Sequence, residues 1–389
     1  MTNLRRFASE IASALRGLLA DASARSTMIV GILIYAVLYP QPYVGEVLRD
    51  VPIAVIDQDN STTSRTFVRD LDVTEWTDVT LSAPDMETAE AAFYRREVYG
   101  IVLIPQGFEA DLLSGTPAPV AAYSDGSYLM IYSNVMKAVA TVSNTLGAQV
   151  NYARLTATGL DDGVARAALV PLTVTSIALY NPQGGYASYV VPAAFVLILQ
   201  QTLLMGMGLL HAGRRLPTGR HLAATVLAYL GLYLLWVVLT QVLLPYLYGI
   251  PRMGGLGTLL LIAVPFICAC IAMGFALAAA IPWREGVVFF LVVMGMPLFF
   301  LSGISWPIEM IPVPLHKLSL LAPSTTAISA FVAVDQMGAT ARDVASAIQT
   351  QIALAVGYAA LAFALSSLST AKQRKHAATL QSSKPTAQG

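Results

Sequence analysis

Six apolar stretches constrain this chain more than any other feature: Ser26 to Val44, Tyr186 to Leu210, Leu222 to Tyr248, Leu256 to Ile281, Val287 to Ile304 and Val344 to Leu368. A helix of about 20 mostly apolar residues crosses a bilayer core, and each stretch meets or nearly meets that length. The charge agrees: 12% of the 389 residues are Asp, Glu, Lys or Arg, against about 25% in an ordinary soluble domain. An α-helical polytopic membrane protein with six transmembrane helices follows. Pro40 and Pro42 make the first stretch the weakest. A cleaved leader is its rival reading, but the polar stretch before it is too long for an n-region and no A-x-A site follows.

Lys and Arg are retained on the cytoplasmic side of a membrane. Arg5, Arg6, Arg16 and Arg25 precede the first span, Arg214, Arg215 and Arg220 follow the second, Arg284 follows the fourth, and Lys372, Arg374, Lys375 and Lys384 follow the sixth. The opposite short segments hold only Arg252, Lys317 and Arg342. Both termini are therefore expected in the cytoplasm. Leu4, Phe7, Ile11, Leu15 and Leu18 recur at helical spacing before the first span, as in a helix lying in the membrane interface; a frayed charged leader is the plainer alternative.

Between spans one and two the composition changes. Acidic residues outnumber basic ones, and Pro, Gly and Asp punctuate short apolar runs. Val51 to Ile56, Tyr99 to Ile104, Val120 to Tyr123 and the weaker Val79 to Leu81 read as strands; Ser61 to Leu71, Asp85 to Val98 and Gln106 to Leu113 read as helices. Their alternation predicts an inserted α/β domain with part of its sheet parallel. A long helix over 127–158, a shorter one over 161–169 and a final strand over Pro171 to Leu179 complete it. Asp57, Asp59 and Ser61 resemble the start of a calcium loop, yet Thr62 stands where Gly is needed and Val68 where a bidentate Glu belongs. Ser61 is better read as a helix cap, accepting from Thr63 or Ser64.

Soluble chemistry is excluded at several points. Equal numbers of basic and acidic residues leave no polyelectrolyte signal for nucleic acid. The four histidines form no HExxH or Cys/His cluster, so no metal is expected. Cys268 and Cys270, the only cysteines, point about 200° apart on a helix. No Gly-Lys pair exists to build a P-loop, and Leu301-Ser302-Gly303 lacks the rest of an ATP-binding-cassette signature. No catalytic residues and no cofactor bound by this chain are expected.

The segments "VPIAVIDQDNSTTSRTFVRDLD", "YGIVLIPQGFEADLLSG", "YSDGSYLMIYSNVMKA", "NPQGGYASYVVPAAF" and "LSGISWPIEMIPVPLHKLSLLAPST" resemble, in order and spacing, bacterial ABC-2 type exporter permeases of the multidrug-export class. The similarity runs from about Ala24 to Leu368. It implies a multi-pass permease in the bacterial inner membrane, a second permease facing it as homodimer or paralogous heterodimer, and separate ABC ATPase subunits that bind ATP and Mg. A periplasmic adaptor leading to an outer-membrane channel is a common third partner, and membrane lipid surrounds the whole. The implied parts are a cytoplasmic interfacial helix (1–25), a transmembrane helix (26–44), a periplasmic α/β domain (45–185), a second span (186–210), a cytoplasmic coupling loop (211–221), spans three to five (222–304), a re-entrant periplasmic segment (305–343), a sixth span (344–368) and a cytoplasmic tail (369–389).

In such a permease the 211–221 connection inserts into the ATPase as a coupling helix, which nominates Arg214, Arg215 and Arg220, with Trp283, Arg284 and Glu285 as a smaller contact. The same arginines also serve as topology determinants. Pro307, Pro312, Pro314 and Pro323 prevent 305–342 from being one straight span. Glu309 and His316 are expected at its mouth, or in water at the interface. Gln200, Gln201 and Gln241 fall inside spans, where interhelical hydrogen bonding is the ordinary role and lining a substrate path the alternative. Pro192, Pro245, Pro265 and Pro297 are expected kinks, and Met205, Met207, Met294 and Met296 either fill the core or offer an adaptable apolar surface.

The leading expectation is export of a drug-like, amphipathic or lipophilic substrate powered by a separate ATPase. A membrane-anchored periplasmic receptor or envelope scaffold, phage-receptor-like, is the alternative. A proton-driven carrier lacks intramembrane acids in spans two to six, and an intramembrane enzyme lacks a Ser/His or Asp pair.

Overall fold

The computed structural model describes residues 2–43, 48–169, 185–306 and 308–382. It divides into two units, Val47–Ile177 and the remainder, Met1–Glu46 with Ala178–Gly389. The strand expected over Pro171 to Leu179 and the break expected at Pro307 lie outside the described residues.

The chain begins with helix α1 (Thr2–Ala20). Asp21 accepts from the amide of Ala24 and so caps α2 (Ala22–Arg25), which runs through a π turn (Ser26–Val30) into α3 (Gly31–Leu38). Leu18, Met28 and Ile32 turn into the helical core, while Leu33, Ile34, Tyr35, Val37 and Leu38 face outward.

The insert holds β1 (Val51–Asp57), α4 (Thr62–Asp72), β2 (Thr77–Ser82), α5 (Met86–Tyr94), β3 (Gly100–Ile104), α6 (Phe108–Ser114), β4 (Ala121–Ser124), α7 (Leu129–Ala157) and α8 (Asp162–Leu169). Its sheet order is β2-β1-β3-β4. The first three strands are parallel, and β4 is antiparallel to β3. Because β1 and β3 are covered on both faces, both read as near-continuous apolar runs. Phe67, Leu71, Phe108 and Val135 pack on one face, with Ala89, Ala92 and Val98 on the other. Helix α5 stops four residues before the expected Val98, since Arg96 turns to φ 60° and the amide of Glu97 reaches back to the carbonyl of Ala92.

The remaining elements are helical: α9 (Tyr186–His211), α10 (Gly219–Val238), a π turn (Leu239–Leu243), α11 (Leu244–Leu247), α12 (Leu256–Ala280), α13 (Arg284–Leu301), α14 (Val313–Ser319), α15 (Pro323–Met337) and α16 (Ala345–Ser382). Among the described residues six helical segments are long and apolar enough to cross a membrane, and α14 and α15 form a further pair bent by 90°. The architecture is a polytopic helical membrane protein carrying a small sheet domain.

Helix α9 is central. A Cβ at Gly206 would run into Sδ of Met28, so this glycine lets the first span approach closely. The expected fifth span is shifted: α13 ends at Leu301 and Gly303 takes φ 84°, so 302–304 form a turn. Helices α9, α12 and α13 continue through Pro192, Pro265 and Pro297, whereas Pro245 follows directly on the π turn, a break in the regular helical ladder.

Candidate functional site

The first cluster is the end of the helical unit where α9 joins α10 and α12 joins α13. Gly213 holds φ 71°, and a Cβ there would lie 2.5 Å from the carbonyl oxygen of Pro282, so the two connections touch backbone to backbone. Arg220 pairs with Glu10 of α1 at 3.3 Å and its guanidinium lies 5.7 Å from the Phe7 ring; His221 lies 3.9 Å from the same carboxylate. Arg284 pairs with Asp21. The amide of Ala24 and then the Arg284 guanidinium hold the Asp21 carboxyl below the usual carboxylate range. Two ion pairs thus fasten the N-terminal helices onto both connections.

The candidate cations therefore divide. Arg214 and Arg215 are exposed and have no ion-pair partner among the described residues, Trp283 is 60% exposed and Glu285 is exposed. Arg220 and Arg284 are engaged within the chain. The connection is a loop: 212–218 form turn and irregular backbone in place of the helix that the resemblance implies. With Gly213 and Pro217 so close together and the span ending at His211, too few residues remain to nucleate a helix.

The second cluster lies at the bend between α14 and α15. Gln200, fully buried in mid-α9, accepts from the amide of Ser324 at 2.7 Å, and the Cys270 thiol lies 4.0 Å from the same oxygen. Gln351 of α16 donates to the Pro323 carbonyl at 2.6 Å and to the Thr326 hydroxyl at 2.7 Å. Tyr358 donates to the Leu321 carbonyl. At its far end α15 is held by Asp335, 1% exposed, whose Oδ1 accepts from Nε and Nη2 of Arg252 at 3.0 and 2.6 Å. The Met253 amide adds a bond to the Asp335 carbonyl. Tyr189, near the start of α9, donates to the Gly303 carbonyl where α13 ends. The bend thus sits against the middle of α9, and α15 finishes beside Arg252, just before the start of α12.

A family model described as "ABC-2 family transporter protein" matches residues 24–368. The chain belongs to that family. No curated protein matches it significantly. An ABC-2 permease is a membrane-embedded transport subunit that is not itself catalytic; the ATPase lies on a partner.

In this permease the candidate path residues stand in different surroundings. Gln241 is fully buried and donates to the Pro192 carbonyl at 3.0 Å, so it joins α9 to the turn after α10. Gln201 is half-buried, its amide atoms lacking a hydrogen-bond partner among the described residues. Glu309 is exposed and His316 half-buried. Met207 is core, whereas Met296 is 65% exposed. Sequence reading missed the Arg252–Asp335 pair and Gln351; Asp335 was legible as the one acid in the apolar run from Ala327 to Met337.

The Asp57 to Ser61 loop of the insert is a capping device. Ser61 accepts from the Ser64 amide at 3.0 Å. Asp59 leaves its own loop to accept from the amides of Gly107 and Glu109 at the start of α6, and Glu109 returns to accept from the amide and hydroxyl of Thr63. Asp57 accepts from the amides of Asp59 and Asn60 and from the Ser64 hydroxyl. Each carboxylate lies at a helix N-terminus, where the dipole favours it. They stand at the carboxyl ends of β1 and β3, the place where an open α/β sheet takes ligands. Among the described residues no group of three or more His, Cys, Asp or Glu is placed to hold a metal ion.

Proposed function

We propose that this permease is the membrane subunit of an exporter that moves an amphipathic or lipophilic, drug-like substrate out across a bacterial inner membrane, driven by ATP and Mg on a separate ABC ATPase that docks at the connection face. The supporting observation is the union of both connections with α1 and α2: Gly213 against Pro282, Glu10 with Arg220, Asp21 with Arg284. Force applied at Arg214, Arg215 or Trp283 is transmitted to the ends of five spans together. The concentration of Arg at this end favours the cytoplasmic side, which makes the insert periplasmic. The α14–α15 pair then acts as a re-entrant element from the periplasmic side, and six spans leave both termini in the cytoplasm.

A second permease copy or a paralogue facing this one suits the exposed apolar faces of α3 and α13, where Phe289, Val292 and Met296 project. A periplasmic adaptor and outer-membrane channel fit the folded insert. The deciding experiment purifies the chain with the ATPase encoded beside it and follows drug-stimulated hydrolysis in proteoliposomes. Arg214→Glu with Arg215→Glu should abolish stimulation in a correctly inserted protein; unchanged stimulation removes the docking assignment. A chain that moves no solute with any ATPase leaves the receptor or scaffold reading.

A further inference from the structure

We propose that an anionic phospholipid binds this chain between α10, α12 and α16, its tail in a preformed apolar cavity and its headgroup on the basic rim of the connection face. The cavity measures about 800 Å³, inside the range of about 300–1,000 Å³ found for small-molecule sites. Leu222 and Val226 of α10, Cys268 and Phe275 of α12, and Ala359 and Phe363 of α16 line it. It exists because α16 presents alanines to α12 at 355, 359 and 362, so the backbones pass each other without side chains large enough to fill the space between them. Val356 and Phe363, 65% and 78% exposed, leave it open sideways, as a lipid tail requires and a soluble ligand does not.

Polarity gathers at one end of the cavity. Thr218, in the connection, and Ser366 and Ser367, late in α16, supply the hydroxyls of the lining. Arg214 and Arg215 directly precede Leu216, which lines the cavity; both are exposed and lack an ion-pair partner among the described residues. An apolar slot with a cationic rim selects an amphiphile with a negative head. A zwitterionic lipid fills the slot equally well but gains much less from the rim. Neither Gln200, Gln241 nor any residue of α14 or α15 lines the cavity, and the inference does not depend on which cargo is exported.

Cys268 supplies the readout. It is half-buried on the cavity wall, while Cys270 is fully buried. The full-length protein, stripped of lipid in detergent, is labelled with N-ethylmaleimide while dioleoyl phosphatidylglycerol or phosphatidylcholine is added back, and lipid occupancy is counted by native mass spectrometry. Phosphatidylglycerol should bind and slow Cys268 labelling at concentrations roughly tenfold or more below those of phosphatidylcholine. Arg214→Ala with Arg215→Ala should shrink that gap, and Ala359→Trp should abolish protection by both lipids. Equal protection by the two lipids, phosphatidylglycerol bound without protection, or labelling that slows only as protein concentration rises would each overturn the proposal, the last by assigning the face to a second copy. The comparison of lipids on the unaltered protein decides the matter even if Ala359→Trp does not fold.

Discussion

Arg252 and Asp335, far apart in sequence, meet with Nη2 of the arginine 2.6 Å from Oδ1 of the carboxylate. Both side chains are largely withdrawn from solvent, at 16% and 1% exposure. Removing one partner of such a pair strands the other charge and costs about 3–5 kcal/mol, whereas replacing both with apolar groups of similar volume is often neutral. Arg252→Met should therefore lower the unfolding midpoint of the detergent-solubilised protein steeply, and Arg252→Met with Asp335→Leu should recover most of the loss. Equal losses in the single and double variants would show that the pair does not hold α15.

The bend below that pair depends on amides. Gln200→Leu leaves the Ser324 amide without its acceptor inside the helical core, and a buried donor so stranded costs about 1–3 kcal/mol. Gln351→Leu removes the side-chain donor shared by the Pro323 carbonyl and the Thr326 hydroxyl. Exchange-protection measurements should show the amides of 324–327 opening first in both variants, while those of α12 keep their protection.

Apolarity alone revealed the spans, because nothing but a membrane or a large core accommodates runs such as Leu256 to Ala280. The insert was legible for most of its elements, since β1 and β3 are short apolar runs bounded by turn residues and followed by helices, and Ser61 caps α4 as its position suggests. Contacts between distant segments were not legible. In the sequence Asp335 is one polar residue in a broken apolar segment, and only folding brings Arg252 to it. Gly213 looks like an ordinary loop glycine until Pro282 is set against it. The capping exchange between Asp59 and Glu109 joins two loops whose sequences, read separately, suggest only turns.

That exchange makes the insert sensitive to acid. The Ser61 hydroxyl, followed by the amides of Glu109, Gly107 and Phe108, holds the Asp59 carboxyl below the usual carboxylate range. With the folded value depressed, the stabilisation is fully present above the unfolded value of about 3.9 and is lost as pH falls through the folded one. Exchange at 107–113, corrected for intrinsic rates, should quicken below about pH 4. Ser61→Ala should cost about 1 kcal/mol at neutral pH, and added calcium should leave the protection of 61–68 unchanged.

The contact of Gly213 with Pro282 separates docking from transmission. Alanine at 213 meets both a left-handed backbone, strained by about 1–3 kcal/mol, and the Pro282 carbonyl 2.5 Å away, so the two connections must part. Arg214 and Arg215 keep their charge and exposure in that variant. If the connections transmit force together, Gly213→Ala should still copurify with the ATPase while substrate-stimulated hydrolysis falls severalfold. Asp21→Asn, which removes only a partly exposed ion pair worth about 0–1 kcal/mol, should have a smaller effect of the same kind. Loss of copurification in Gly213→Ala would instead place the backbone contact within the docking surface, and full stimulation would show that the two connections work independently.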